Sequence, residues 1–237
     1  MSTYISGTSA ATLTLNNSCP YTIWPAISTN PGSPNPPDAY AGFELPSRAL
    51  KTLDMPLVGW SGRAWARTLC AGNGPGNAFT CATGDCRTGN IYCGALPSAP
   101  VTFIELNLAD VSQGNTNDSY QVSVAAGYNV PVSVVPPVGL GCSVASCLGN
   151  VNAVCPEKLR VVGDGGKVIA CMSACQVFQD PVECCLGEYK GPTKCKPTQY
   201  SQIFKRACPM AMSYIYDNAY QYCKGGSNYL VTFCPGF

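Results

Sequence analysis

Val101-Thr-Phe-Ile-Glu-Leu-Asn-Leu108 is the stretch whose reading settles the fold class. Successive side chains of an extended backbone point to opposite faces. Ile104, Leu106 and Leu108 therefore share one face, and Val101, Phe103 and Glu105 share the other, which predicts a strand. The same alternation recurs on either side of it. Tyr120, Val122 and Val124 oppose Gln121, Ser123 and Ala125. Residues 60–68 place Trp65 and Arg67 on one side, with Ala64 and Ala66 on the other. Thr12-Leu-Thr-Leu15, Tyr21-Thr-Ile-Trp24 and residues 228–234 read as further strands. Residues 29–37 carry four prolines and predict a surface loop. Many short strands separated by Gly, Pro and Asn turns indicate a mainly β protein, a sandwich or a barrel.

Composition narrows the class. Apolar residues make up 46% of the 237, enough for a large core, and charged residues only 11%. The formal net charge is +1, and no run of Lys or Arg is long enough to track a phosphate backbone, so no nucleic-acid partner is expected. No apolar run approaches the ~20 residues of a membrane span. The chain has sixteen cysteines and no histidine. A reducing compartment would keep so many thiols reactive, so disulfides formed outside the cytosol are the expectation. Zinc sites use paired knuckles, usually with His, and the cysteines here follow no such repeated pattern, so neither metal nor cofactor is expected. The first residues, Met1 to Leu15, lack a charged segment followed by an apolar one. A mature chain, extracellular or vacuolar, is the corresponding expectation. Asn16-Asn-Ser18 and Asn117-Asp-Ser119 fit the glycosylation sequon.

The texture changes after Cys142. Eight cysteines lie from Cys147 to Cys208, which marks a region held by crosslinks more than by core volume. Two short helices are predicted there. Ser173-Ala-Cys-Gln-Val-Phe-Gln should end at Asp180-Pro181, because a residue before proline is pushed out of helical geometry. Residues 198–206 put Tyr200, Ile203 and Phe204 on one stripe, with Lys205 and Arg206 where the helix dipole favours cations.

Cys81-Ala-Thr-Gly-Asp-Cys86, followed by Gly89 and Cys93, resembles the signature of the thaumatin-like family, the pathogenesis-related group five, with Asn77 where that signature usually has Gly. Asn17-Ser-Cys-Pro-Tyr-Thr-Ile-Trp24, Arg63-Ala-Trp-Ala-Arg-Thr68, Gly127-Tyr-Asn-Val-Pro131, Phe204-Lys-Arg-Ala-Cys-Pro209 and Asn228-Tyr-Leu-Val-Thr-Phe-Cys-Pro235 extend the likeness over the whole chain. The resemblance implies the pairing Cys19–Cys234, Cys70–Cys81, Cys86–Cys93, Cys142–Cys223, Cys147–Cys208, Cys155–Cys171, Cys175–Cys184 and Cys185–Cys195. The first of these would clamp the terminal strands, and in the chain-entropy model is worth on the order of 4–5 kcal/mol. The implied fold is an antiparallel β-sandwich over 1–67, 101–148 and 209–237. A small disulfide loop domain would span 68–100 and a cysteine-rich helical and loop lobe 149–208.

Relatives that act on fungal walls or bind β-1,3-glucans resemble one another in an acidic cleft between sandwich and cysteine-rich lobe, built from one Arg, one Glu and three Asp. Carried over by position, Arg63 and Glu105 keep the Arg and the Glu, whereas Gln121, Ala126 and Met210 stand at the three Asp positions. One carboxylate then faces one guanidinium, and the focused negative field is largely gone. Ala126 and Met210 make part of the wall apolar. Glycoside hydrolysis needs two carboxyls about 5–9.5 Å apart, and only Glu105 remains; Asp110 or Asp118 would have to approach it. Without His there is no Ser-His or Cys-His pair.

The expectation is a monomeric, non-enzymatic, defence-type protein that binds a β-glucan, another cell-wall glycan or a small apolar ligand in the cleft. A weak endo-β-1,3-glucanase or antifungal protein relying on Glu105, or a proton-transfer catalyst with Glu105 as base, is the alternative. A structural Arg63–Glu105 pair is weighed equally with a ligand-contacting one. Asp85 should brace a disulfide loop, and Lys190, Lys194, Lys196, Lys205 and Arg206 should be solvated surface. Tyr120, Tyr128 and Tyr216 should be core or rim residues, with Tyr128 a candidate for the cleft wall.

Overall fold

The structure is a computed structural model that describes residues 11–56, 59–72, 78–110 and 114–236; Asn77 and the first ten residues fall outside these. In chain order the strands of the first half are β1 (Thr12–Asn17), β2 (Trp24–Thr29), β3 (Leu50–Asp54), β4 (Ser61–Ala71), β5 (Thr80–Thr83), β6 (Phe103–Asn107), β7 (Asn117–Ser123), β8 (Val132–Val135) and β9 (Ala145–Cys147). Then come α1 (Val151–Val154), β10 (Arg160–Val162), β11 (Val168–Cys171), α2 (Ala174–Phe178), α3 (Pro181–Cys184), α4 (Gln199–Ala207), β12 (Gln221–Lys224) and β13 (Tyr229–Phe233).

Two sheets stack into a sandwich. One has the order β3-β1-β13-β8-β9, with β1 and β13 parallel and the other neighbours antiparallel. The other runs β12-β7-β6-β4-β2, antiparallel throughout, with β5 paired to the far end of β4. Alternation explains what lies between them. Leu13, Leu15, Val231 and Phe233 from the first sheet share one core with Ala64, Ala66, Ile104, Leu106, Tyr120 and Val122 from the second. The strand expected at 21–24 begins at Trp24 instead and runs on to Thr29. As the edge of its sheet, β2 tolerates Pro25, which has no N–H to offer a neighbour.

The outer face of the second sheet carries its own small cluster. Ala26, Trp65, Val101 and Phe103 pack there against the Cys86–Cys93 loop, with Ala126 at the margin. Trp65 Nε1 donates to the Gly84 carbonyl at 3.0 Å. Arg67, on the same face, donates from Nε to the Trp24 carbonyl and lies over the Phe79 ring. Burial lowers its pKa to about 10, although Asp85 pulls the other way.

The cysteine-rich stretch is built from caps and bridges. Ser173 and Gln176 form a capping box on α2, and the helix ends at a left-handed Gln179. The break expected before Pro181 is present, but the chain at once restarts: Asp180 caps α3, and Pro181 takes its first position. Thr198 caps α4, whose Phe204 is buried in the sandwich core while Tyr200 packs against it. A pair of backbone hydrogen bonds between Tyr128 and Cys171, each 2.8 Å, ties β11 to the sandwich. The eight disulfides join Cys19–Cys234, Cys70–Cys81, Cys86–Cys93, Cys142–Cys223, Cys147–Cys208, Cys155–Cys171, Cys175–Cys184 and Cys185–Cys195, the partners that the family resemblance implies. Among the described residues no cysteine is free.

Candidate functional site

Register brings the first three site residues together. Arg63 on β4 pairs with Glu105 on β6, and Glu105 pairs with Gln121 on β7, so the three form one row across the outer face of the sheet. Arg63 Nε lies 3.0 Å from Glu105 Oε1. Gln121 Nε2 donates to Glu105 Oε2 at 2.7 Å, and the Tyr220 hydroxyl, just before β12, reaches the same oxygen at 3.4 Å. Burial first, then the negative charge of Glu105, pushes the Tyr220 phenol up, so it stays a donor. The Arg63 guanidinium also stands over Phe103, 5.2 Å from the ring centre. Glu105 is only 9% exposed and Gln121 1%. Both carboxylate oxygens are thus met by donors, one of them charged, in a nearly closed setting.

Other carboxylates sit in different surroundings. Asp118 is on the opposite, sandwich-facing side of β7, where it accepts from Ala109 N–H and from the Tyr229 hydroxyl at 2.9 Å. Burial raises its pKa against those hydrogen bonds. Asp110 packs where a Cβ on Gly59 would collide with it. Asp217 accepts from the Ser213 hydroxyl and pairs with Lys205 at 3.0 Å. That pair corrects one expectation: Lys205 is bound to Asp217 and to the Ala211 carbonyl rather than freely solvated, whereas Lys190, Lys194, Lys196 and Arg206 are exposed.

The remaining site candidates separate. Ala126 lies at the margin of the outer cluster and lines a cavity at the junction with the cysteine-rich segment. Tyr128 is 1% exposed and belongs to the sandwich core, so its ring offers nothing to the cleft. Met210 is 42% exposed, with its sulfur 3.9 Å from the Ser146 hydroxyl; the methionine that meets the row is Met212, whose Sδ is 3.4 Å from Gln121 Nε2. Sequence reading missed Met212 and Tyr220. Both arrive through pairings distant in the chain, Met212 beside Ser123 and β12 beside β7, and no local pattern announces either. Asp85 accepts from Cys81 N–H and Arg87 N–H, bracing the disulfide loop. The Tyr216 hydroxyl accepts from Gly191 N–H at 2.9 Å, and the Tyr120 hydroxyl donates to the Ser143 carbonyl.

Where sandwich and cysteine-rich segment meet, a cavity of about 210 Å³ opens between residues 124–126, residues 213–215 and helices α2 to α4.

A two-sheet sandwich stapled by eight disulfides, with a helical cysteine-rich segment closing a cleft against one sheet, defines the class of protein. The chain belongs to the thaumatin family, whose model matches residues 17–235. It is 46% identical to thaumatin-like protein 2 of Prunus persica over 97% of this chain and 92% of that one. It is also 46% identical, over the same shares, to a protein of Prunus avium named glucan endo-1,3-beta-glucosidase. Thaumatin-like protein 1a of Malus domestica is 44% identical over 98% of this chain and 93% of its own.

Proposed function

We propose that this thaumatin-like chain is a secreted, monomeric defence protein, extracellular or vacuolar, that binds a glycan or small ligand in its cleft without hydrolysing it. The carrying observation is the Arg63–Glu105–Gln121 row: one carboxylate, with donors on both of its oxygens and an amide in place of a second acid. An acid–base pair for glycoside cleavage requires two carboxyls with room for a sugar or a water between them. Eight disulfides support an oxidising compartment. No helix among the described residues is long and apolar enough to cross a membrane. Incubation with laminarin, followed by measurement of reducing ends, tests the reading. Release no faster than the blank is expected; turnover that Glu105→Gln abolishes would overturn it.

One observation favours a second reading. A relative 46% identical bears the name of a β-1,3-glucan hydrolase, so a weak endo-β-1,3-glucanase centred on Glu105 is the competing proposal. The same assay separates the two, because only the second predicts Glu105-dependent turnover.

A further inference from the structure

The cavity at the lobe junction is a different place from the Arg63–Glu105–Gln121 row, none of whose members lines it. Val124, Ala125 and Ala126, which follow β7, line it together with Phe204 of α4. Val182 of α3 and Ile215 also line it, while standing 40% and 54% exposed, so they border its opening to solvent. The wall is mostly apolar.

Most of the polar groups that do line it are already spent. Ser173 and Gln176 satisfy each other's backbone in the α2 capping box. Thr198 Oγ1 accepts from Ser201 N–H and donates to Glu183 Oε2 at 2.7 Å, and Ser201 Oγ donates to the Thr198 carbonyl. Ser213 Oγ donates to Asp217. A sugar entering the cavity would exchange the water bonds of its several hydroxyls for fewer partners, and each one left unmet weakens binding. Two charged groups line it as well, Glu183 and the solvent-exposed Lys196, and Tyr200 and Tyr214 add half-buried phenols. Glu183 is the only carboxylate among the described lining residues; Thr198 fixes it through Oε2, and Oε1 has no partner among the described residues. Size sets the rest. A dry cavity of about 150 Å³ accommodates one benzene ring. At about 210 Å³ there is room for a ring with a short substituent.

We propose that this cavity binds a single-ring, mostly apolar small molecule carrying one hydrogen-bond donor, an amine or a hydroxyl, which meets Glu183 Oε1. The inference rests on the reading of the cleft as a ligand site and names the ligand class. An amine is favoured over a hydroxyl, because a hydrogen bond charged on both sides is the stronger, while the opposing Lys196 ammonium is exposed and screened by solvent.

The test uses the full chain, disulfides intact and ¹⁵N-labelled, titrated with benzylamine, benzyl alcohol and laminarihexaose while amide shifts are followed. Benzylamine should move the amides of Ala125, Ala174, Ser201 and Ile215 saturably, and bind about three- to tenfold more tightly than benzyl alcohol. Glu183→Gln keeps an acceptor for Thr198, so α4 stays capped, and should erase the difference between the two probes. Ile215→Asn, at an exposed side chain, removes apolar wall without adding charge and should weaken both about threefold or more. Benzylamine that moves none of these amides overturns the inference, as does binding indifferent to both variants. Laminarihexaose moving the same four amides more tightly than benzylamine also overturns it, but leaves the cleft reading standing. Silence of the whole cleft to all three probes removes both.

Discussion

Replacing Gln121 by Glu would turn a donor into an acceptor at the point where Nε2 now lies 2.7 Å from Glu105 Oε2. Both side chains are nearly closed to solvent, so neither carboxyl could turn to water. Two ionised carboxyls about 3 Å apart would repel by about 5 kcal/mol at an effective dielectric constant of ~20. One of them therefore keeps its proton. At neutral pH the variant loses a charge-assisted hydrogen bond and must hold that proton against solvent, a combined cost of about 3–4 kcal/mol. At pH 4 the proton is held at little cost and the protonated carboxyl donates where the amide did, leaving a deficit of about 1 kcal/mol. The sign follows from linkage: a carboxyl raised in the folded state binds a proton that the unfolded chain has released. The deficit relative to wild type therefore grows as pH rises from about 4 and levels off above the raised value. Urea unfolding followed by tryptophan fluorescence at pH 4 and pH 7, with wild type alongside, measures it. A deficit that is equal at the two pH values, or below ~1 kcal/mol at pH 7, would refute the buried contact between residues 105 and 121.

Burial, the largest cause at each site, raises the phenol pKa values of Tyr128, Tyr229, Tyr120 and Tyr220. Stability should then fall as pH rises above the unfolded value of about 10, with part of the phenolate absorbance at 295 nm appearing only as near-UV circular dichroism is lost; a smooth titration of every tyrosine in the folded state would contradict this. Changing Cys19 and Cys234 together to Ser releases the clamp on β1 and β13 and should cost on the order of 4–5 kcal/mol in urea unfolding. A loss under ~1 kcal/mol would mean that strand pairing alone holds the ends. A Cβ at Gly42 would stand 2.0 Å from the Ile91 carbonyl oxygen and 2.7 Å from an Arg67 guanidinium nitrogen. Gly42→Ala should therefore destabilise by about 2–3 kcal/mol, and a neutral effect in the same assay would show that the loop moves aside freely.

The parts of this fold that were legible in the sequence are those with enough residues to show a period. β1, β4, β6, β7 and β13 alternate long enough to be read, and Ala64 and Ala66 lie opposite Trp65 as their order requires. β8 to β12 are three or four residues each, too short for alternation to separate from chance. The candidate site was half visible. Arg63, Glu105 and Gln121 come together because three strands share one register, and alternation alone puts Glu105 and Gln121 on definable faces. Tyr128 fits its expectation as a core residue and not the one for the cleft wall, a choice its own segment cannot make because the residues that bury it are distant in the chain. Lys205 departs from its expectation for a similar reason, since its partner Asp217 follows on the loop beyond the helix. Asp180-Pro181 predicts an end and is equally a beginning, the same residues serving as break and as cap.

The structural commitment of Glu105 is tested most directly by a double-mutant cycle on Arg63→Met and Glu105→Gln, read by urea unfolding at low salt. The Arg63 side chain is 35% exposed, which screens the pair and holds the expected coupling to about 1–2 kcal/mol. A coupling below ~0.3 kcal/mol would mean that Glu105 is not held by Arg63, and would return it to the ranks of free carboxylates available for chemistry.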